Sequence, residues 1–118
     1  MKNSQEIKDI AIETLEIERD SIDKLIDTID DEFSSVVEEI YRSKGRLVVS
    51  GIGKSAIVAQ KIVATLNSTG TPSLFMHAAD AIHGDLGMVQ SDDLVILISK
   101  SGNTPEVKVL VPLIKGLG

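Results

Sequence analysis

Apolar residues recur at helical spacing through residues 4–29, at Ile7, Ile10, Ala11, Leu15, Ile22, Leu25, Ile26 and Ile29. Glu6, Asp9, Glu13, Asp20 and Asp27 fall on outward positions, and Glu18 interrupts the stripe. The spacing predicts a long amphipathic helix with a solvated acidic face, suited to packing on another subunit. A second helical pattern covers 31–43 through Phe33, Val36, Val37, Ile40 and Tyr41. Lys44-Gly45 supplies its stop, with glycine available for a left-handed position.

The period then changes. Arg46–Ser50, Ser73–Met76 and Leu94–Ser99 read as strands, each a short apolar run bounded by turn residues. Gly51–Ser55 turns the first strand into a helix whose expected buried side is Val58, Ile62, Val63 and Leu66. Thr69-Gly70-Thr71-Pro72 is a breaker. Residues 77–88 suggest one short helix ending at Gly84 and a turn at Gly87. A last helix begins at Pro105, with Thr104 as N-cap, and is expected to bury Val107, Leu110, Val111 and Ile114. Pro112 inside it predicts a kink or local break. Alternating strands and helices with near-continuous apolar strands predict an α/β doubly wound parallel sheet flanked by helices, behind a helical lead. Three strands are few for such a sheet, which suggests an incomplete domain.

Composition narrows the function classes. The 118 residues are 42% hydrophobic and 25% charged, so the chain is globular and of a size for one domain or part of one. Residues 1–45 carry 13 acidic and 6 basic side chains, a net −7; residues 46–118 carry 5 and 6, a net +1. One Tyr, two Phe and no Trp offer no stacking platform, and there is no basic patch, so nucleic acid is not an expected partner. No apolar run is long enough to span a bilayer, no signal peptide is evident, and Cys is absent. Cytoplasmic residence, with no membrane partner, is the expectation.

Two turns carry the chemistry. Gly51-Ile52-Gly53-Lys54-Ser55 and Ser99-Lys100-Ser101-Gly102-Asn103-Thr104 follow the first and third strands, so both fall at the carboxyl edge of a parallel sheet, where open α/β folds bind ligands. Hydroxyls, free N–H groups at helix starts and lysine charge together suit a phosphate monoester. The Walker A pattern fails, because Val48 stands where its first glycine belongs. Gly51-x-Gly53-x-x-Ala56 matches a loose dinucleotide fingerprint, but the second strand ends without an acidic residue for a ribose. Nucleotide binding therefore ranks below a phosphorylated small molecule. His77 and His83 are the only histidines, too few for a zinc site by themselves but placed to line the cleft as proton carriers. Glu106 is either a favourable first-turn charge or a general base.

Gly51-Ile-Gly-Lys-Ser55 and Ile98-Ser-Lys-Ser-Gly-Asn-Thr-Pro-Glu106 resemble the paired loops of the sugar isomerase (SIS) domain. Thr69-Gly-Thr-Pro72, His77 and His83-Gly-Asp-Leu-Gly-Met88 narrow the resemblance to the arabinose 5-phosphate isomerase family. The resemblance covers nearly the whole chain. It implies a flavodoxin-like topology, usually five-stranded and assembled as a tetramer. It implies interconversion of D-ribulose 5-phosphate and D-arabinose 5-phosphate for synthesis of Kdo, the acid sugar of lipopolysaccharide and some capsules. Lys54 and Glu106 match catalytic positions. Ser55, Ser99, Ser101 and Thr104 match phosphate-binding positions. Gly70, Thr71 and His83 match substrate-contacting positions, and we assign His83 with the catalytic set as a polar contact to the sugar. His77 matches a position linked to zinc, which the family does not need for turnover. The phosphorylated pentose is the expected ligand, a homo-oligomer the expected assembly, and no cofactor is required.

On this resemblance residues 1–44 form a helical segment and 45–118 the first part of a SIS domain. The family domain continues for two further strands that carry another glutamate and another histidine, and many members add paired CBS modules. The expectation is that the 118-residue chain alone is poorly active. Two other readings are a non-catalytic phosphosugar-binding module and another SIS isomerase acting on a hexulose or heptose phosphate. His83-Gly-Asp-Leu-Gly87 disfavours the last.

Overall fold

Leu47–Gly51 (β1) is buried along its whole length, as a strand covered on both faces must be. In the computed structural model, which describes residues 1–118, it is the middle of a three-stranded parallel sheet. Ser73–His77 (β2) lies on one side, with Leu47 opposite Ser73 and Gly51 opposite His77. Leu94–Leu97 (β3) lies on the other, with Leu47 opposite Leu94 and Ser50 opposite Leu97. The order β2-β1-β3 is the start of the flavodoxin-like arrangement, whose switch point falls between β1 and β3.

Successive strand residues face opposite ways, so β1 feeds two cores. Leu47 and Val49 pack with Ala59 and Val63 of the helix Lys54–Ser68 (α3). Val48 packs with Met76, with Ala78 and Ala81 of the short helix Ala78–Ile82 (α4), and with Leu110 of the helix Pro105–Lys115 (α5). Helices therefore cover both faces, and the doubly wound expectation holds. Each fully buried Val or Leu contributes roughly 1.5–3 kcal/mol by removal from water.

Several local expectations are corrected. The side of α3 that meets the sheet is Ala56, Ala59 and Val63, with Leu66 half-buried. Val58 and Ile62 point to solvent. Alanine lets the helix backbone approach the sheet closely, and apolar spacing does not reveal that preference. On α5, Val107 and Leu110 are buried and Ile114 half-buried, but Val111 is exposed. Pro112 does not break α5, which runs unbroken through it; the residue is exposed, and only the carbonyl one turn earlier loses its donor. Gly45 does not adopt the left-handed conformation expected of it. It is needed for closeness instead, since a Cβ there would run into the backbone carbonyl of Asp92. The stretch after α4 contains a 3-10 turn at Asp85–Met88, and Gly84, at φ 140°, makes the corner that only glycine takes readily.

Arg46 lies just before β1 and Asp93 just before β3, and the strand register brings them together. Arg46 Nη2 and Asp93 Oδ2 are 2.7 Å apart, and Arg46 Nη2 also donates to the Met88 carbonyl at 2.8 Å. The pair fastens the amino edge of the sheet, opposite the candidate site.

The chain forms two compact units, Met1–Glu39 and Ile40–Gly118. In the first, Ser4–Leu25 (α1) begins with a capping box: Glu6 N donates to Asn3 Oδ1, and Asn3 N donates to Glu6 Oε2. A 3-10 turn at Ile26–Thr28 ends it before the helix Asp31–Arg42 (α2). Neither helix buries a residue, and Ile7, Ile10, Leu15, Ile22, Phe33, Val36 and Val37 stand exposed. Ile40, which opens the second unit, packs against the α3-side core.

Candidate functional site

Three strand ends meet at the carboxyl edge. Ile98 N donates to the Ser50 carbonyl at 2.9 Å, which extends the β1–β3 pairing one residue beyond β3. Ser99 is thereby delivered beside the Gly51–Gly53 turn, at the ~4.8 Å spacing of neighbouring strands. On the other side Gly51 is level with His77. The turn itself is tight: a Cβ on Gly51 would sit 3.0 Å from the Ser55 carbonyl, and Gly53 takes φ 60°. Only glycine serves easily at the second of these positions.

Gly53 is the N-cap of α3, so it offers no side chain to the first-turn N–H groups. Lys54 stands exposed and Ser55 half-buried at that helix start. The second loop reaches the same result by another route. Thr104 is the N-cap of α5, as expected, but its hydroxyl does not cap the helix. Thr104 Oγ1 lies 2.6 Å from Ser99 Oγ instead, closing the loop on itself. Ser99 Oγ also accepts from Gly102 N at 3.0 Å, and Ser101 Oγ accepts from Asn103 N at 3.0 Å. Gly102 turns the loop at φ 71°.

The contrast with the other helices is informative. α1 has a capping box, and the N-terminus of α2 is capped by Asp30, whose carboxylate accepts from Phe33 N at 3.0 Å. The two helices that start at the carboxyl edge beside β1 and β3 lack a side-chain cap. Both helices thus begin at the carboxyl edge, after neighbouring strands, with first-turn N–H groups and positive dipole ends that an anion could complete. Lys54 and Lys100, both exposed, add positive charge. The Ser99–Thr104 pair shares one hydroxyl proton between two oxygens, so it retains one O–H to donate. Ser101, used as an acceptor, keeps its own.

The other expected residues divide. Glu106 is half-buried in the first turn of α5, and its carboxylate has no protein partner. His83 is exposed at the end of α4, its backbone N donating to Asp80 at 3.1 Å. His77 is half-buried and caps α4: Nδ1 accepts from Ala79 N at 3.1 Å, which leaves Nε2 as the free ring nitrogen. Its ring meets Phe75 edge-on. No group of three or more His, Asp or Glu side chains comes together, so the residues present do not form a zinc site around His77.

Gly70 and Thr71 are placed elsewhere. They precede β2, with Thr71 N donating to the Leu66 carbonyl and the neighbouring Pro72 carbonyl accepting from Leu47 N. That is the amino edge, a five-residue strand away from the cradle, on the order of 15 Å. Within one chain they are not brought to the loops. One residue at the carboxyl edge carries no signal in the sequence. Ser50 is fully buried, and its Oγ has no hydrogen-bond partner. It reads as an ordinary strand residue, and only its burial marks it.

Comparison with known proteins gives the family. The family model of the SIS domain matches residues 39–118. The arabinose 5-phosphate isomerase KdsD of Pseudomonas aeruginosa is 52% identical over 108 residues, covering 92% of this chain and 33% of that protein. KdsD of Escherichia coli K12 is 46% identical over 105 residues, covering 89% and 32%. The solved structure of E. coli CFT073 c3406 in complex with arabinose 5-phosphate superposes with a TM-score of 0.94 at 40% identity, covering 99% of this chain and 62% of that one. The chain thus spans about a third of the length of the curated relatives it matches.

Proposed function

The chain belongs to the SIS domain family, and from that premise we propose that it serves an aldose–ketose isomerase interconverting D-ribulose 5-phosphate and D-arabinose 5-phosphate, in the supply of Kdo. The observation that carries the reading is the pair of uncapped helix starts, α3 and α5, which follow neighbouring strands joined at their carboxyl ends by the Ser50–Ile98 backbone bond. They make a receptor for a phosphate monoester. The names of the relatives and the sugar phosphate complex of c3406 support the pentose.

Isomerisation moves a proton between C1 and C2 of the sugar through an enediol, so it needs a base, an oxyanion partner and a grip on the remote phosphate. Ser55, Ser101 and the Ser99–Thr104 pair hold the phosphate with the free N–H groups. Glu106 takes the proton from one carbon and returns it to the other. Lys54 stabilises the negative charge that develops on the oxygen, and His83 makes a polar contact to the sugar. Gly70 and Thr71 contact substrate only if a second copy of the chain presents them. No cofactor takes part, and zinc at His77 is at most non-catalytic. The protein is a cytoplasmic homo-oligomer with no nucleic-acid partner; no helix is long and apolar enough to cross a membrane.

Binding is the first test. Arabinose 5-phosphate added to the 15N-labelled chain is expected to shift the amides of 53–56 and 99–107, and unphosphorylated arabinose is not. Equal shifts with both sugars would sink the phosphate reading. The second test is deuterium exchange from solvent into the C1 and C2 positions. Binding without exchange favours the non-catalytic phosphosugar module, and full turnover in Glu106→Gln would remove Glu106 as the base.

A further inference from the structure

α1 is 22 residues long, buries none of them, and packs substantially only on the 3-10 turn that ends it. A helix in water draws most of its stability from covering an apolar face, so α1 calls for a partner. Its own pattern says which. Of its seven large apolar residues, six fall into pairs placed symmetrically about position 16: Ile7 with Leu25, Ile10 with Ile22, and Leu15 with Ile17. Ile12 is the exception, since Asp20 stands at its mirror position.

The helix surface carries the same symmetry. Ile7 and Leu25 are five turns apart and mark a centre line. At ~100° per residue, Ile10 and Ile17 lie ~60–80° to one side of that line, and Leu15 and Ile22 lie ~60–80° to the other. When two such helices pack antiparallel, each layer sets a residue from one side of the line against a residue from the other side. The mirror pairs of α1 meet that requirement in a second copy of the same helix. Ile12, at ~140°, points away from the contact.

Charge fixes the direction. Glu18 lies only ~20° off the centre line, with Thr14 as its mirror position on the other side. A parallel pair would set Glu18 against Glu18 and Glu6 against Glu6, which like charges oppose. An antiparallel pair sets Glu18 against Thr14. It also brings Glu6 and Lys24, which share one flank, to within ~3 Å of each other along the axis, once at each end of the contact. Glu13 and Asp20 lie farther round, toward solvent. The polar Glu18–Thr14 layers cost stability but hold the register, as single polar layers do in coiled coils.

We propose that α1 is a self-association surface, on which two copies of the chain pair antiparallel and in register about position 16. The proposal rests on the homo-oligomer of the reading above and assigns it a contact. Ile7 then meets Leu25 of the partner subunit. With helix axes 8–10 Å apart, two Cα atoms on the centre line come within about 5 Å, which a disulfide can bridge. Ile7 lies ~27 Å from Ile7 of the partner subunit, and equally far from Leu25 of its own chain, so neither of those can link.

The chain has no cysteine, so introduced ones report alone. The test compares Ile7→Cys, Leu25→Cys and the double variant after mild oxidation, by non-reducing electrophoresis, with light scattering on the unmodified chain for molar mass. All three replacements are at exposed positions. The double variant is expected to run as a covalent dimer and the single variants as monomers. Single variants that link as readily as the double variant indicate a parallel or random contact and overturn the proposal. An oligomer by light scattering whose double variant does not link leaves the homo-oligomer standing and removes the α1 contact. A monomer by light scattering removes both.

Discussion

Replacing Asp93 by asparagine should unfasten the amino edge of the sheet in a pH-dependent way. The Asp93 carboxylate accepts four hydrogen bonds: from Arg46 Nη2 at 2.7 Å, Arg46 Nε at 3.2 Å, Arg46 N at 2.9 Å and Gln90 N at 2.8 Å. The bonds from the Arg46 guanidinium do most to lower its pKa. Burial works the other way, and the backbone bonds and the charge of Arg46 add to the lowering; the result is a pKa of about 2 instead of 3.8. A lowering of that size corresponds to about 2.4 kcal/mol of stability above the unfolded-state pKa. The Asp93 side chain is 1% exposed but that of Arg46 is 35% exposed, so solvent screens the pair. The contribution is better put at about 1–2 kcal/mol. A depressed acid contributes in full above about pH 4, and the contribution fades as pH falls through about 2. Urea unfolding followed by circular dichroism should therefore show Asp93→Asn less stable by about 1–2 kcal/mol at pH 7, or roughly 1 M in midpoint. The gap should narrow steadily from pH 4 to pH 2.5, because the unfolded wild-type chain protonates Asp93 in that range while the folded carboxyl stays largely ionised. A gap below about 0.5 kcal/mol at pH 7, or one that persists undiminished at pH 2.5, would refute the reasoning.

Gly45→Ala should cost about 3 kcal/mol by urea unfolding, because the new methyl meets the Asp92 backbone rather than a movable side chain. Leu110→Ala empties the α5 side of the core and should cost about 2–5 kcal/mol in the same assay. Thr104→Val removes the partner of Ser99 and should cost about 1 kcal/mol while weakening arabinose 5-phosphate binding, read by calorimetric titration; unchanged affinity would show that the loop does not need the pair. Dialysis against EDTA should leave the phosphate-dependent amide shifts unchanged, whereas their loss would make a metal part of the site.

Much of the fold was legible in the chain because it rests on local rules. Short apolar runs between breakers marked the three strands to within two residues at each end. The alternation of strand and helix then required a parallel sheet covered on both faces, since crossover helices have nowhere else to lie. The two loops were visible too, as glycine and hydroxyl clusters between a strand and a helix start. From that order alone both belonged at the carboxyl edge.

Pairing was not legible, because it depends on register and on distance across the sheet. Arg46 and Asp93 are 47 positions apart and meet only because Leu47 lies opposite Leu94. A sequence signal existed: each is the charged residue just before a short apolar run. Thr104 was rightly expected as a cap by position, but its hydroxyl went to Ser99, five residues earlier, and left the helix start open. Gly45 was explained by the wrong property of glycine, its conformational freedom, when the Asp92 backbone needed its small size.

The amino-acid sequence by itself thus determined the elements, their order and the chemistry carried by each loop. These follow from hydrophobic period, capping and turn preference within a few neighbouring residues. Tertiary structure alone decided that α3 meets the sheet through Ala56 and Ala59 rather than Val58 and Ile62, that Gly70 and Thr71 lie at the edge opposite the cradle, and that Ser50 is buried without a partner. Each is a matter of which surfaces touch, and close packing between distant segments settles that, whatever the propensity of any one segment.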